Sequence, residues 1–167
     1  MIQKKICLIG AFSVGKTSLI RQYVDSIFSD KYLTTVGVKI DKKIIKFESE
    51  DVQLMIWDLA GEDDYTEIKL SYLRGSSGFV YVADGTRAIT LTKIIDIQEK
   101  IEDEFGQCPF ILAINKHDLA DEWEVDQSHL DHLSYKNWPV FKTSAKTGSA
   151  VDEAFAHIAQ LILDKSC

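Results

Sequence analysis

The stretch Gly10-Ala11-Phe12-Ser13-Val14-Gly15-Lys16-Thr17 reads G-x-x-x-x-G-K-[ST]. An apolar, β-branched run from Ile2 to Ile9 precedes it, and a helical pattern from Ser18 to Val24 follows. That strand–loop–helix setting is the one in which the motif binds phosphate. The glycines let the backbone wrap a polyphosphate with its N–H groups turned inward, and the start of the helix adds positive potential. Ala11, Phe12, Ser13, Val14, Gly15 and Ser18 are the expected lining of that wrap. Lys16 is expected to reach the β- and γ-phosphates, and the Thr17 hydroxyl to ligate Mg²⁺. The competing reading is a plain glycine turn between a strand and a helix.

The 167 residues include only two prolines and are 46% apolar, which predicts one domain over 1–167 with a proper core. The net charge of −7 and the pI near 5.1 argue against a sequence-independent nucleic-acid binder. An acidic protein that holds a triphosphate must concentrate positive charge locally, at Lys16, Mg²⁺ and backbone amides. The cysteines, Cys7, Cys108 and Cys167, are odd in number and show no metal-ligand spacing, which predicts a reducing, cytoplasmic setting and no zinc. The N-terminus has no signal-peptide pattern. Apolar runs such as Phe79 to Ala83 and Phe110 to Ile114 are too short to span a bilayer.

Strands are expected at Lys4 to Ile9, Gly37 to Phe47, Val52 to Trp57, Gly78 to Ala83, Phe110 to Ile114 and Val140 to Phe141. Gly37 to Phe47 and Val52 to Trp57 are joined by Glu48-Ser49-Glu50-Asp51 as an antiparallel hairpin. Helices are expected at Thr17 to Val24, in a short piece ending near Leu73, around Ile94, Ile97, Ile101 and Phe105, at Asp126 to Ser134, and after a capping box at Ser149-x-x-Asp152. Strands alternating with helices predict an α/β, three-layer P-loop fold. Its six-stranded sheet is mostly parallel, with one antiparallel edge strand and about five helices on its two faces. Ligands in such sheets sit at the carboxyl ends of the strands, where loops begin at Gly10, Asp58, Asp84, Asn115 and Thr143.

Three of those loops carry further motifs. Asn115-Lys116-His117-Asp118 follows a buried strand. Asp118 can accept from guanine N1–H and from its exocyclic amine, whereas adenine would leave a buried carboxylate unpaired at a cost of about 1–3 kcal/mol or more. The aliphatic stem of Lys116 can lie along the base, and Asn115 is placed to tie its loop to the phosphate loop. Leu119, next in the chain, is a further candidate for nucleotide binding. In Thr143-Ser144-Ala145-Lys146 the Ala145 N–H can meet guanine O6 and Lys146 can cover the second face, or the tetrapeptide is a plain turn. In Asp58-Leu59-Ala60-Gly61-Glu62, Asp58 can hold a water on Mg²⁺ and Gly61 leaves its N–H open to a γ-phosphate. An acidic surface turn is the alternative.

These four motifs stand in the order and spacing of the Ras superfamily of small GTPases, which the whole chain resembles, the Rab branch above all. Thr35-Val36-Gly37-Val38, Trp57-Asp58-x-Ala60-Gly61 and Tyr72-Leu73-Arg74-Gly75 carry the Rab likeness. The resemblance implies a guanine-nucleotide switch that binds GTP or GDP with Mg²⁺ and hydrolyses GTP. Lys16, Thr35, Gly61 and Glu62 would be its catalytic residues, and Thr17, Thr35 and Asp58 its metal-side residues. Phe28 matches the aromatic that meets the edge of the guanine ring, with loop anchoring as the alternative, and Tyr32 the one that lids the phosphates. Loss of the γ-phosphate would free Thr35 and Gly61 together and release two loops. Effectors and regulators would read residues about 30–47 and 57–75, with Ile40, Trp57 and Tyr72 as the contacted triad and Ile40 replacing the usual phenylalanine. Ordinary half-buried sheet and helix residues are the alternative. Lys39, Lys42, Lys43 and Lys46 form either a docking stripe or charges that protect an edge strand.

Two departures from the family bear on rate. Glu62 stands where most relatives have the glutamine that orients water; a carboxylate accepts from water but lacks the amide donor. Phe12 occupies a place usually held by a small residue, and its ring would obstruct an arginine finger worth about 10³–10⁵ in rate. Slow intrinsic hydrolysis is therefore expected, the alternative being that Phe12 swings clear. The histidines, His117, His129, His132 and His157, form no site and are expected to face solvent or cap helices. Cys167 carries no prenylation pattern, so membrane association is expected only through a lipidated tail outside this chain. A monomer is expected. The rival readings are a non-hydrolysing GTP-binding module, a GTPase domain of a larger protein and, more distantly, an ATP-using P-loop enzyme.

Overall fold

A computed structural model describes residues 1–11, 13–25, 38–59 and 70–165. Phe12, Phe28, Tyr32, Thr35, Val36, Gly37, Ala60, Gly61, Glu62 and Cys167 lie outside the described residues.

The elements in chain order are β1 (Ile2–Gly10), α1 (Lys16–Asp25), β2 (Val38–Lys46), β3 (Asp51–Leu59), α2 (Leu70–Leu73), β4 (Gly78–Asp84), α3 (Ala88–Phe105), β5 (Phe110–Asn115), a 3₁₀ segment His117–Glu122, α4 (Gln127–Tyr135), β6 (Val140–Lys142) and α5 (Val151–Asp164). The sheet order is β2–β3–β1–β4–β5–β6. β2 runs antiparallel to β3, and the other neighbours are parallel. The expected α/β architecture is what the chain adopts.

Alternation along the strands divides the core. Ile6 and Leu8 of β1 face α1 and α5 with Leu19, Ile20, Tyr23, Phe155 and Ile158. Cys7 and Ile9 face the other layer with Leu73, Leu91, Ile94, Ile97, Ile101 and Leu133. Tyr23 of α1 stacks on Phe155 of α5 at 4.1 Å between ring centroids. β4 is buried along its whole length, as its unbroken apolar run requires. Each fully buried leucine or isoleucine here is worth about 1.5–3 kcal/mol of transfer free energy.

Two local expectations need correction. β3 continues past Trp57 to Leu59, because Asp58 pairs with Lys39 of β2 and with Leu8 of β1. Asp58 is therefore held by a strand and not by a loop. No capping box opens α5: its N-cap is Ala150, left-handed at φ 58, with no side-chain cap. The Val151 N–H instead donates to Gly148 O at 3.3 Å, and Asp152 and Glu153 set negative charge in the first turn. The capping box lies at α4, where the Asp126 side chain accepts from the His129 N–H and the His129 ring accepts from the Asp126 N–H. Cys7 is a free thiol buried between the sheet and its neighbouring layer, with its Sγ 3.2 Å from Ser76 Oγ. Among the described residues no helix is long and apolar enough to cross a membrane.

Candidate functional site

At the carboxyl edge of the sheet, the turn from β1 to α1 brings the backbone into left-handed geometry at Ser13 (φ 65) and Gly15 (φ 101). Such turns set successive N–H groups around one concavity. Gly15 is required there twice over: by its φ, and because a Cβ on it would fall 2.2 Å from Asn115 Nδ2. α1 begins immediately after, with the Leu19 N–H donating to Gly15 O at 2.8 Å.

Lys16 is buried, and its Nζ donates to Gly10 O at 3.0 Å and Leu59 O at 2.7 Å. It thus bridges the ends of β1 and β3. Burial lowers its pKa to about 8, against the opposing pull of Asp58.

Asp58 is 1% exposed. Its Oδ2 accepts from Thr17 Oγ1 at 2.6 Å, while Oδ1 is buried with no hydrogen-bond partner among the described residues. Burial raises its pKa despite the Thr17 hydroxyl and the Lys16 charge. A buried, unsatisfied carboxylate oxygen beside a threonine hydroxyl is a hard-oxygen set that fits Mg²⁺, which needs only one or two carboxylates alongside phosphate oxygens. No cluster of three or more His, Cys, Asp or Glu side chains forms a metal cage among the described residues.

The second half of the site follows β5. Asn115 is 2% exposed, and its Nδ2 donates to Val14 O at 3.0 Å. Its Oδ1 accepts from Thr143 Oγ1 and from the Ala145 N–H, both at 3.2 Å. One amide therefore fastens three loops: the tie to the phosphate loop is the one expected of Asn115, and the tie to the Thr143–Ala145 loop is additional. The Ala145 N–H, expected to meet the base, spends at least part of its donor on Asn115. Ser144 Oγ donates to Asp118 Oδ1 at 2.8 Å. Asp118 is exposed, not buried, so its desolvation would come only with a base seated on it. Leu119 and Lys146 are exposed beside it, and Ser18 lies in the first turn of α1.

The stem of Lys116 is expected along the base, and its head and backbone are tied as well. Its Nζ is ion-paired to Asp84 Oδ2 at 2.8 Å, and its backbone is left-handed at φ 72. Asp84, at the end of β4, is itself 1% exposed. Burial would raise its pKa, but Lys116 and Thr86 outweigh that and hold it below the usual carboxylate range. Trp123 Nε1 donates to Lys116 O at 2.8 Å. Asp84 and Trp123 belong to no motif. The one sequence signal for Asp84 is its place among the five loop starts.

The hairpin side of the molecule is partly apolar and open. Ile40 pairs with Trp57 across β2 and β3, and Ile40, Ile44 and Tyr72 are exposed. Lys5 Nζ lies 3.7 Å over the Trp57 ring and donates to Tyr72 O at 2.6 Å. The four lysines of β2 do not form one stripe. Lys42 and Lys46 share the open face with Ile40 and Ile44, whereas Lys43 turns under the sheet and donates to Tyr23 O at 2.9 Å. Lys39 pairs with Asp41 at 3.7 Å.

A phosphate loop between β1 and α1, a buried carboxylate at the end of β3 and an Asn-Lys-x-Asp loop after β5 are the parts of a P-loop nucleotide-binding domain. The Ras family profile matches residues 5–164. The chain is 32% identical over 165 residues to Ras-related protein Rab-1 of Theileria parva, covering 96% of this chain and 74% of that protein. Ras-related protein Rab-3C of Bos taurus is 32% identical over 163 residues, covering 96% and 72%. Ras-related protein Rab-1C of Dictyostelium discoideum is 34% identical over 166 residues, covering 93% and 78%. The chain belongs to the Ras family and is a Rab-like, GTP-binding small GTPase.

Proposed function

We propose that this single domain is a Mg²⁺-dependent guanine-nucleotide switch of the cytoplasm that hydrolyses GTP slowly. The observation that carries the reading is the bond from Asn115 Nδ2 to Val14 O, which fastens a base-reading loop to a phosphate loop. Asp118, steadied by Ser144, accepts from the guanine N1–H and exocyclic amine, and Lys116 and Lys146 flank the ring. Backbone amides from Ser13 to Ser18 hold the phosphates. Lys16, released from Gly10 O and Leu59 O, turns its ammonium to the β- and γ-oxygens.

Thr17 and Asp58 would hold Mg²⁺, with Thr35 joining when GTP is bound. The ion supplies positive charge against the phosphate oxygens. Gly61 donates its N–H to the γ-phosphate, and Glu62 accepts from the attacking water. Tyr32 covers the phosphates and Phe28 meets the base at its edge. Thr35 and Gly61 are satisfied together only by a γ-phosphate, so hydrolysis releases both loops. Partner proteins read that change on residues about 30–47 and 57–75, where Ile40 pairs with Trp57 and Ile40 and Tyr72 are exposed. The switch works as a monomer.

Slow turnover rests on Phe12 and Glu62. In single-turnover GTP hydrolysis with Mg²⁺, wild type is expected to turn over slowly and to gain little from an activating protein that donates an arginine. Phe12→Gly is expected to respond by about 10³-fold or more. An equal response of the two proteins would overturn the role of Phe12. Complete absence of turnover in both would favour a non-hydrolysing binding module.

A further inference from the structure

The base-recognition loop is bracketed on both sides, and only one bracket belongs to known motifs. On one side stand Thr143, Ser144 and Ala145. On the other stands a second set built on Asp84 and Trp123. Asp84 lies opposite Asn115 in the β4–β5 register. Its carboxylate is fully engaged: Oδ1 accepts from the Thr86 N–H at 2.9 Å and Thr86 Oγ1 at 2.7 Å, and Oδ2 accepts from Lys116 Nζ at 2.8 Å and Arg87 Nε at 3.2 Å.

Trp123 closes the bracket. Its ring lies against Gly85 so closely that a Cβ there would fall 2.1 Å from the indole. Its Nε1 donates to Lys116 O at 2.8 Å. Gly85 O in turn accepts from the Glu124 and Val125 N–H groups at 2.9 and 3.1 Å, which fixes the segment that carries the indole. Lys116 is thereby held at both ends, by its ammonium and by its carbonyl, in a left-handed conformation that a β-carbon disfavours. That one reversal separates the neighbours. Asn115 turns back to Val14, and Asp118 stands forward beside Ser144.

We infer that Asp84 and Trp123 are positioning residues for base recognition: they lock Lys116 in the left-handed turn that aims Asp118 at the guanine. The charge of Lys116 is spent on Asp84, so its contribution to the base is the lie of its stem. The inference rests on the reading that Asp118 meets the base.

The test compares dissociation of GDP with that of inosine diphosphate, which lacks the exocyclic amine, from the Mg²⁺-loaded protein. Wild type must hold GDP the longer; if it does not, the reading of Asp118 fails before the inference is reached. Asp84→Asn removes the charge while keeping an acceptor for Thr86. Trp123→Phe keeps a ring over Gly85 and removes only the donor. Each is expected to shrink the GDP preference by about fivefold or more, and the double variant to do no worse than the stronger single, because both act through Lys116. Val52→Ala, which opens the core at the start of β3, the opposite end of that strand from Asp58, serves as the stability control and is expected to leave the preference unchanged. The inference is overturned if both site variants keep the wild-type preference, even with faster release of both nucleotides. It is equally overturned if the Val52→Ala control loses the preference to the same extent.

Discussion

Lys16 shows how far a single residue follows from its motif and where the fold adds something. The G-K-T spacing names it as a phosphate ligand, but its burial between Gly10 O and Leu59 O is a property of strands brought together in space. That burial lowers its pKa to about 8. A bound polyphosphate favours the ammonium, so binding takes up a proton whenever the free protein has lost it. GDP affinity should therefore be level below pH 8 and fall as pH rises through that value, by up to about tenfold between pH 7.5 and 9. Lys16→Arg, which stays charged, should bind with a level profile across the same range. Calorimetric titration at several pH values reads this directly, and parallel profiles for the two proteins would contradict it. Asp84 and Trp123 mark the opposite limit of legibility. Asp84 acts on Lys116 from a neighbouring strand and Trp123 from seven residues along the chain, and neither residue type signals that alone.

At the scale of elements, periodicity told strands from helices well, because a half-buried strand and an amphipathic helix must repeat their apolar residues at different spacings. Ends were harder to read. Ser149-x-x-Asp152 has the letters of a capping box, yet α5 starts after a left-handed Ala150. Asp126 and His129 form the box that the sequence does not advertise, because histidine replaces the usual glutamate or glutamine. Asp126→Ala should therefore cost about 1 kcal/mol. For a domain of this size that is a fall of about 2–4 °C in melting temperature. Ser149→Ala should change the melting temperature little. A thermal melt of the two variants checks the contrast, and the reverse order would contradict the caps described here. The β2 lysines teach the same lesson. Alternation alone puts Lys43 opposite Lys42, but only packing on α1 shows that it is anchored at Tyr23.

Across the whole molecule, an acidic chain of net charge −7 builds a phosphate-receptive corner from backbone amides, Lys16 and an oxygen set at Thr17 and Asp58. The sheet makes this possible by ending β1, β3, β4 and β5 at one edge, where Gly10, Asp58, Asp84 and Asn115 meet. Parallel strands with short αβ returns leave few other places for a ligand. Asn115 joins the two halves of that corner, so base identity and phosphate grip are read as one event. The most direct measurement is a titration of nucleotide-free protein with GDP, ADP and xanthosine diphosphate, in wild type and Asp118→Asn, with Mg²⁺ present. Wild type should prefer GDP to ADP by several orders of magnitude, and Asp118→Asn should move its preference toward xanthosine diphosphate. Equal affinity of wild type for GDP and ADP would contradict the assignment of this site.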